Sequence, residues 1–292
     1  MWKSALALVT AGLITLLSGI ALAAAPIKLV AAENFYADIA QQIGGPDVQV
    51  TSILNNPNQD PHDFEASPST ARQVADAELV IYSGADYDPW MKSLIEASPS
   101  DHRKVIVAAN LVHRVSGDNP HIWYDPATMP AVAQALAAEF ASRDPAHKAD
   151  YEARLAAFES SLQPLMQKIA EMKQKHAGDA VTATEPVFGY MIEALGYEMR
   201  NQDFQMAVMN DTEPSASDLA AFQDDLKNRK VKALIYNDQV TDDLTEKLKA
   251  LAQQSEVGIV GVTETLPAGM IYQSWMMDEL TRLDKAMSGP GS

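Results

Sequence analysis

Short apolar runs and helix-length stretches alternate along this chain in two blocks. Between the blocks lies a run of about thirty residues with helical periodicity and no turn dipeptide. In the first block, residues 27–33, 48–54, 79–83 and 105–108 read as strands, with helical patterns at 35–43, 67–77, 89–97 and 127–141. A parallel crossover needs a helix-length connection, so this spacing predicts parallel sheets covered by helices on both faces. The middle run carries Tyr151, Leu155, Phe158, Leu162, Leu165, Ile169 and Met172 at helical intervals. As one helix, about thirty residues would span roughly 45 Å. Pro164 falls inside the run, has no N–H to donate, and is expected to kink or locally break it. In the second block, strands are expected at 180–183, 231–236 and 258–262, with a strand or loop near 206–209 and helices at 187–195, 215–228, 242–254 and 271–286. The fold class expected is α/β, with two βαβ lobes built on parallel sheets and joined by one long spine helix. The divisions fall at an N-terminal lobe over 27–144, a linking helix over 145–177 and a C-terminal lobe over 178–288.

The first residues read as a targeting segment. Lys3 precedes an apolar run that ends in Ala21-Leu22-Ala23-Ala24, the small-x-small pattern of a signal-peptidase site, so residues 1–23 are expected to be a cleavable signal peptide. The sequence contains no cysteine. That excludes a lipobox and a disulfide framework, and the expected product is periplasmic and not a lipoprotein. The 22 Lys and Arg against 39 Asp and Glu give a net charge of −17, a surface that repels nucleic acid and favours cations.

Three phrases carry the candidate chemistry. Asp60-Pro61-His62 follows the second strand, where proline restricts the loop and offers the imidazole at a strand's carboxyl end. Ligands of open α/β sheets bind at that end. Asp63 and Glu65 are candidates to hold its second ring nitrogen. Asn119-Pro120-His121-Ile122-Trp123-Tyr124-Asp125-Pro126 places a second imidazole between two prolines and beside an aromatic wall. Thr184-Glu185-Pro186 puts a carboxylate at the end of a strand in the second block, and Glu264 and Asp238 each follow a later strand there. Two imidazoles and one or two carboxylates form a set that a divalent transition metal can draw together. Taken singly, each has an ordinary explanation as a loop residue or a charge answering a helix dipole. His102, His113, His147 and His176 lack this context.

With these residues in view, the chain resembles the solute-binding proteins of bacterial zinc and manganese ABC importers, the cluster A-I or TroA-like group. The resemblance rests on Asp60-Pro61-His62 with Phe64-Glu65 and Pro68, and on Asn119 to Pro126. It also rests on Phe188-Gly189-Tyr190, Thr212-Glu213-Pro214-Ser215-Ala216, and Tyr272 through Met276. It implies one metal site with His62, His121, Glu185 and Glu264 as ligands, Glu264 standing where the group usually has aspartate and Asp238 in reserve. It further implies Mn²⁺ or Zn²⁺ as the transported ion, an inner-membrane ABC permease as partner, a monomer, and no nucleic-acid binding. Glu185 in the third position leans away from a dedicated zinc protein. No catalysis is expected. The alternatives are a zinc metallohydrolase using the same His/Glu cluster, and a binding protein for an organic solute.

Overall fold

A computed structural model describes residues 25–56, 61, 64–210, 212–240 and 242–289. The signal-peptide segment and His62 lie outside the described residues. Two four-stranded, all-parallel sheets form the frame, as the alternation predicts. The first pairs β1 (Ile27–Glu33), β2 (Val48–Leu54), β3 (Leu79–Tyr82) and β4 (Lys104–Val107) in the order β2-β1-β3-β4. The second pairs β5 (Ala180–Ala183), β6 (Glu198–Arg200), β7 (Ala233–Asn237) and β8 (Gly258–Val262) in the order β6-β5-β7-β8. The two orders are the same, so each lobe repeats one topology. Residues near 206–209 are helical, within a helix over Gln202–Met209, and the strand of that region is the three-residue β6. Three residues are too few for an alternating pattern to show.

The run between the lobes forms two consecutive helices, Lys148–Ser161 and Gln163–His176, that meet at Leu162. Pro164 stands in the first turn of the second helix, where its missing N–H costs nothing. The expected interruption therefore falls two residues before the proline. The second helix packs on the C-terminal helix Tyr272–Met287, where Lys168 and Lys175 bracket Asp284 at 2.6 and 2.9 Å.

One apolar cluster runs through both lobes without a break, from Leu29 and Ile81 to Val181 and Ile235. Aromatic rings carry it across. Phe35 packs on Trp123 and Trp275 with ring centroids 4.8 and 6.0 Å apart, and Tyr124 meets Phe188 at 4.7 Å. A shared close-packed core resists independent lobe motion. The contact of β8 with the C-terminal helix is equally close: a Cβ on Gly258 would stand 2.5 Å from the carbonyl oxygen of Ala286. Gly258→Ala is expected to destabilise the fold by about 1–3 kcal/mol, read as a fall of several degrees in Tm. A Tm equal to that of the native chain would show that the helix shifts freely.

Candidate metal centre

The carboxyl ends of the two sheets supply the candidate site. Glu33 ends β1, Tyr87 follows β3, His121 lies in the loop beyond β4, Glu185 follows β5, Asn237 ends β7 and Glu264 follows β8. Parallel register makes the second-lobe set neighbours. Ala183 pairs with Ile235 and Asn237 with Val262, so Glu185, Asn237 and Glu264 emerge side by side.

His121 is fully buried. Asn119 Oδ1 accepts the His121 backbone N–H at 3.1 Å and lies 2.7 Å from its Nδ1. The Asn119 amide nitrogen donates to the carbonyl of Pro186 at 2.7 Å, which fixes which end of that amide is oxygen. The acceptor at Nδ1 assigns the ring proton to Nδ1 and leaves a lone pair on Nε2. Asn119 thus orients the first-lobe imidazole while tied to the second-lobe turn that carries Glu185. Gly189 makes room for this, since a Cβ there would come within 2.8 Å of Asn119 Nδ2.

Among the described residues His121 Nε2 has no hydrogen-bond partner, and it stands 3.5 Å from Oε2 of Glu264, itself fully buried. That separation exceeds a good N–H···O distance of about 2.7–3.2 Å. A neutral imidazole lone pair and a carboxylate oxygen that face each other in a buried site repel unless a positive charge lies between them. Metal–ligand bonds of about 2.0–2.2 Å to both atoms would subtend an angle of about 115°, close to tetrahedral.

Glu264 is held from three sides. Tyr87 donates its hydroxyl to Oε2 at 2.9 Å, Asn237 donates to Oε1 at 2.6 Å, and the Glu264 backbone N–H donates to the side chain of Gln239. Burial, then the Glu264 and Glu33 charges, push the Tyr87 phenol well above its ordinary range, so it stays a donor. Asn237 also reaches Glu185 Oε2 at 3.3 Å. Behind Tyr87 lies a second acidic pair. Asp88 accepts the backbone N–H groups of Ser83 and Gly84 at 2.6 and 2.9 Å, and burial raises it to about 6. Burial, then Asp88, holds Glu33 well above the usual carboxylate range.

Of the four candidate ligands, the structure brings His121 and Glu264 together and links Glu185 to Glu264 through Asn237. His62 and Asp63 lie outside the described residues, between buried Pro61 and Phe64, whose ring packs on Trp90 at 4.4 Å. Among the described residues, no three His, Asp or Glu side chains form a group that could hold a metal ion. Asp238 is exposed, with its carboxylate against Gly261, and Glu264 is the acid that faces His121. Glu65, His102 and His113 are exposed. His147 pairs with Asp144 at 2.6 Å, and His176 with Asp179 at 3.0 Å. Sequence reasoning passed over Asn119, Tyr87, Asn237 and Gln239. For Asn237 one signal was present: it ends a buried strand on the face of Ala233 and Ile235.

Two similar lobes of four-stranded parallel sheet, sharing one core and facing their carboxyl ends towards each other, define a TroA-like solute-binding fold. The chain belongs to the family of periplasmic zinc-uptake complex component A (ZnuA) proteins, whose model matches residues 29–286. It is 23% identical over 283 residues to the metal ABC transporter substrate-binding lipoprotein ScbA of Streptococcus cristatus, covering 90% of this chain and 89% of that one. It is 22% identical over 267 residues to the manganese-binding lipoprotein MntA of Bacillus subtilis, covering 88% and 83%. Among solved structures, the periplasmic zinc-binding protein TroA of Treponema pallidum matches with a TM-score of 0.76 at 20% identity, over 90% of this chain and 99% of that one. Both relatives are named lipoproteins, whereas this sequence has no cysteine to carry a thioether-linked lipid.

Proposed function

We propose that this protein captures Mn²⁺ or Zn²⁺ in the periplasm and delivers it to the membrane permease of an ABC importer, with His62, His121, Glu185 and Glu264 as ligands. The observation that carries the reading is the buried Nε2 of His121, which has no hydrogen-bond partner among the described residues and stands 3.5 Å from the buried Oε2 of Glu264. Both side chains are 0% exposed, which favours a small ion over an organic solute as the ligand. Both relatives are named for metal transport or manganese binding, and the net charge of −17 favours approach of a cation. Four protein ligands leave no coordination position for an activated water, so no turnover is proposed. Release from so closed a site requires a ligand-bearing loop to move, and docking on the permease would supply that movement.

The test is metal content by mass spectrometry of protein purified from the periplasm without chelators, beside a His62→Ala, His121→Ala double variant. About one zinc or manganese per chain, absent from the variant, is the expected result. Equal metal in both, or none in either after incubation with each ion, would overturn the reading.

A further inference from the structure

Three consecutive residues after β3 have left-handed backbones: Gly84, Ala85 and Asp86, with φ of 75°, 49° and 67°. Glycine accepts such an angle freely, and a Cβ at Gly84 would stand 2.5 Å from Val107. Alanine and aspartate accept it under strain, which persists only where the surroundings enforce it. Both ends of this turn are held. Near its start, the Asp88 carboxylate accepts the backbone N–H groups of Ser83 and Gly84. At its exposed tip, Asp86 Oδ2 accepts the Ser116 hydroxyl and, at 3.1 Å, the Gly117 backbone N–H. Ser116 and Gly117 lead directly into Asn119 and His121, so the loops after β3 and β4 are tied together at the surface.

The turn delivers Tyr87, which is 6% exposed. Its ring meets Trp123 and His121 edge-on, with centroids 4.7 and 5.9 Å apart. Its hydroxyl donates to Glu264 Oε2 from the opposite lobe. A carboxylate oxygen that accepts one hydrogen bond keeps a lone pair for an ion. The bond therefore holds Oε2 towards His121 Nε2 without blocking it, while Asn237 holds Oε1 from the second lobe. Backbone angles of the ordinary sign at Ala85 and Asp86 would redirect the chain and carry the phenol off Glu264. We infer that Tyr87 is a positioning residue that sets the ion affinity of Glu264, kept in place through the strained turn by the contact of Asp86 with Ser116 and Gly117. This rests on the metal-capture reading above. It makes an exposed contact on the first lobe a control on how tightly a buried ion is held.

The experiment measures zinc affinity of the EDTA-stripped full chain by chelator competition, with metal-free melting curves beside it. The proteins are the native chain, Tyr87→Phe, Asp86→Gly, Asp86→Asn and the double variant Asp86→Gly, Tyr87→Phe. Phenylalanine keeps the ring and removes the hydroxyl. Glycine relieves the strain and removes the contact; asparagine keeps an acceptor and tolerates the left-handed angle. Tyr87→Phe is expected to weaken zinc binding about 10–100-fold, the usual cost of losing an outer hydrogen-bond partner of a ligand. Asp86→Gly should weaken it about 3–10-fold alone and less than about twofold in the Tyr87→Phe background, because both changes act through one hydrogen bond. Asp86→Asn should bind as the native chain does. Zinc affinity of Tyr87→Phe within about threefold of native would overturn the inference. So would an Asp86→Gly loss of equal size in both backgrounds, as a merely structural role predicts. An equal loss in Asp86→Asn would also overturn it, by assigning the effect to surface charge. If the native chain binds no zinc, the metal-capture reading fails and the inference with it. If Tyr87→Phe shows no cooperative melting transition, the comparison of Asp86→Gly with Asp86→Asn decides.

Discussion

His121→Ala is expected to lower zinc affinity by more than about 10³-fold, roughly 4 kcal/mol. Among the described residues, the surroundings of the imidazole leave its Nε2 no hydrogen-bond partner. Asn119 occupies Nδ1 and the backbone N–H, while Nε2 is buried, has no hydrogen-bond partner among the described residues and is opposed to Glu264. Removing it deletes a ligand and releases Asn119, which also ties the loop to Pro186. The loss should appear as stability too. An ion at a hundred times its Kd adds about 2.7 kcal/mol to the native state, which for a chain of this size raises Tm by roughly 5–10 °C. The native protein should show that rise on adding zinc and the variant should show none. In the absence of metal, the variant should melt near the native protein, because alanine leaves a small cavity but also removes the lone pair facing Oε2. Zinc affinity retained within about tenfold would place the ion elsewhere.

The fold was legible because parallel strands buried on both faces are written as short apolar runs with helices between them, as in Leu79-Val80-Ile81-Tyr82 and Ala233 to Tyr236. The three residues of β6 were not, since Glu198-Met199-Arg200 carries no such signal and is a strand only through its pairing with β5. In the site, proline marked the loops of His62 and His121 and the turn after Glu185. The residues that orient these side chains were hidden for a different reason. Asn119, Asn237 and Gln239 look like turn residues in sequence, and their roles arise only when register sets β5 beside β7 and the first-lobe loop against Pro186. Glu264 and Asp238 were equal candidates by position; strand alternation and burial separate them, leaving Asp238 exposed. Glu279 is a further case. It lies four residues after Trp275 on the buried stripe of the last helix, a spacing that marks a carboxyl group inside the core.

That buried carboxyl leads to the second large effect: the stability of the metal-free protein is expected to fall as pH rises from about 5 to 8, and Glu279→Gln should remove much of the fall. Burial raises Glu279 from 4.5 to about 8, against opposing contributions from Tyr124, Thr263, Arg282 and Trp275. The hydrogen bonds agree with a protonated group. Tyr124 has one hydroxyl hydrogen but two acceptors, the Thr263 carbonyl at 2.6 Å and Glu279 Oε2 at 2.8 Å. A proton on Oε2 lets Glu279 donate to Tyr124 while Tyr124 donates to Thr263. Oε1 then accepts from Trp275 Nε1 at 2.9 Å and the Thr263 backbone N–H at 3.1 Å. Between pH 4.5 and 8 the native state keeps this proton and the unfolded chain has lost it. The unfolded state therefore binds fewer protons, and stability falls by about 1.4 kcal/mol per pH unit until the folded group also ionises. The contribution is fully present below the unfolded value and is gone above about 8. Glu33 and Asp88, both raised by burial, add to the slope in the same direction. Glutamine at 279 reproduces the neutral arrangement, with its amide donating to Tyr124, and has no proton to lose. The comparison of Tm against pH in EDTA isolates the Glu279 share. The curves should meet near pH 5 and separate by about 3 kcal/mol at pH 8, the variant melting roughly 5–10 °C higher. Parallel curves would mean that Glu279 is ionised in the folded protein, with Arg282, 4.0 Å from Oε1, holding a buried anion in place.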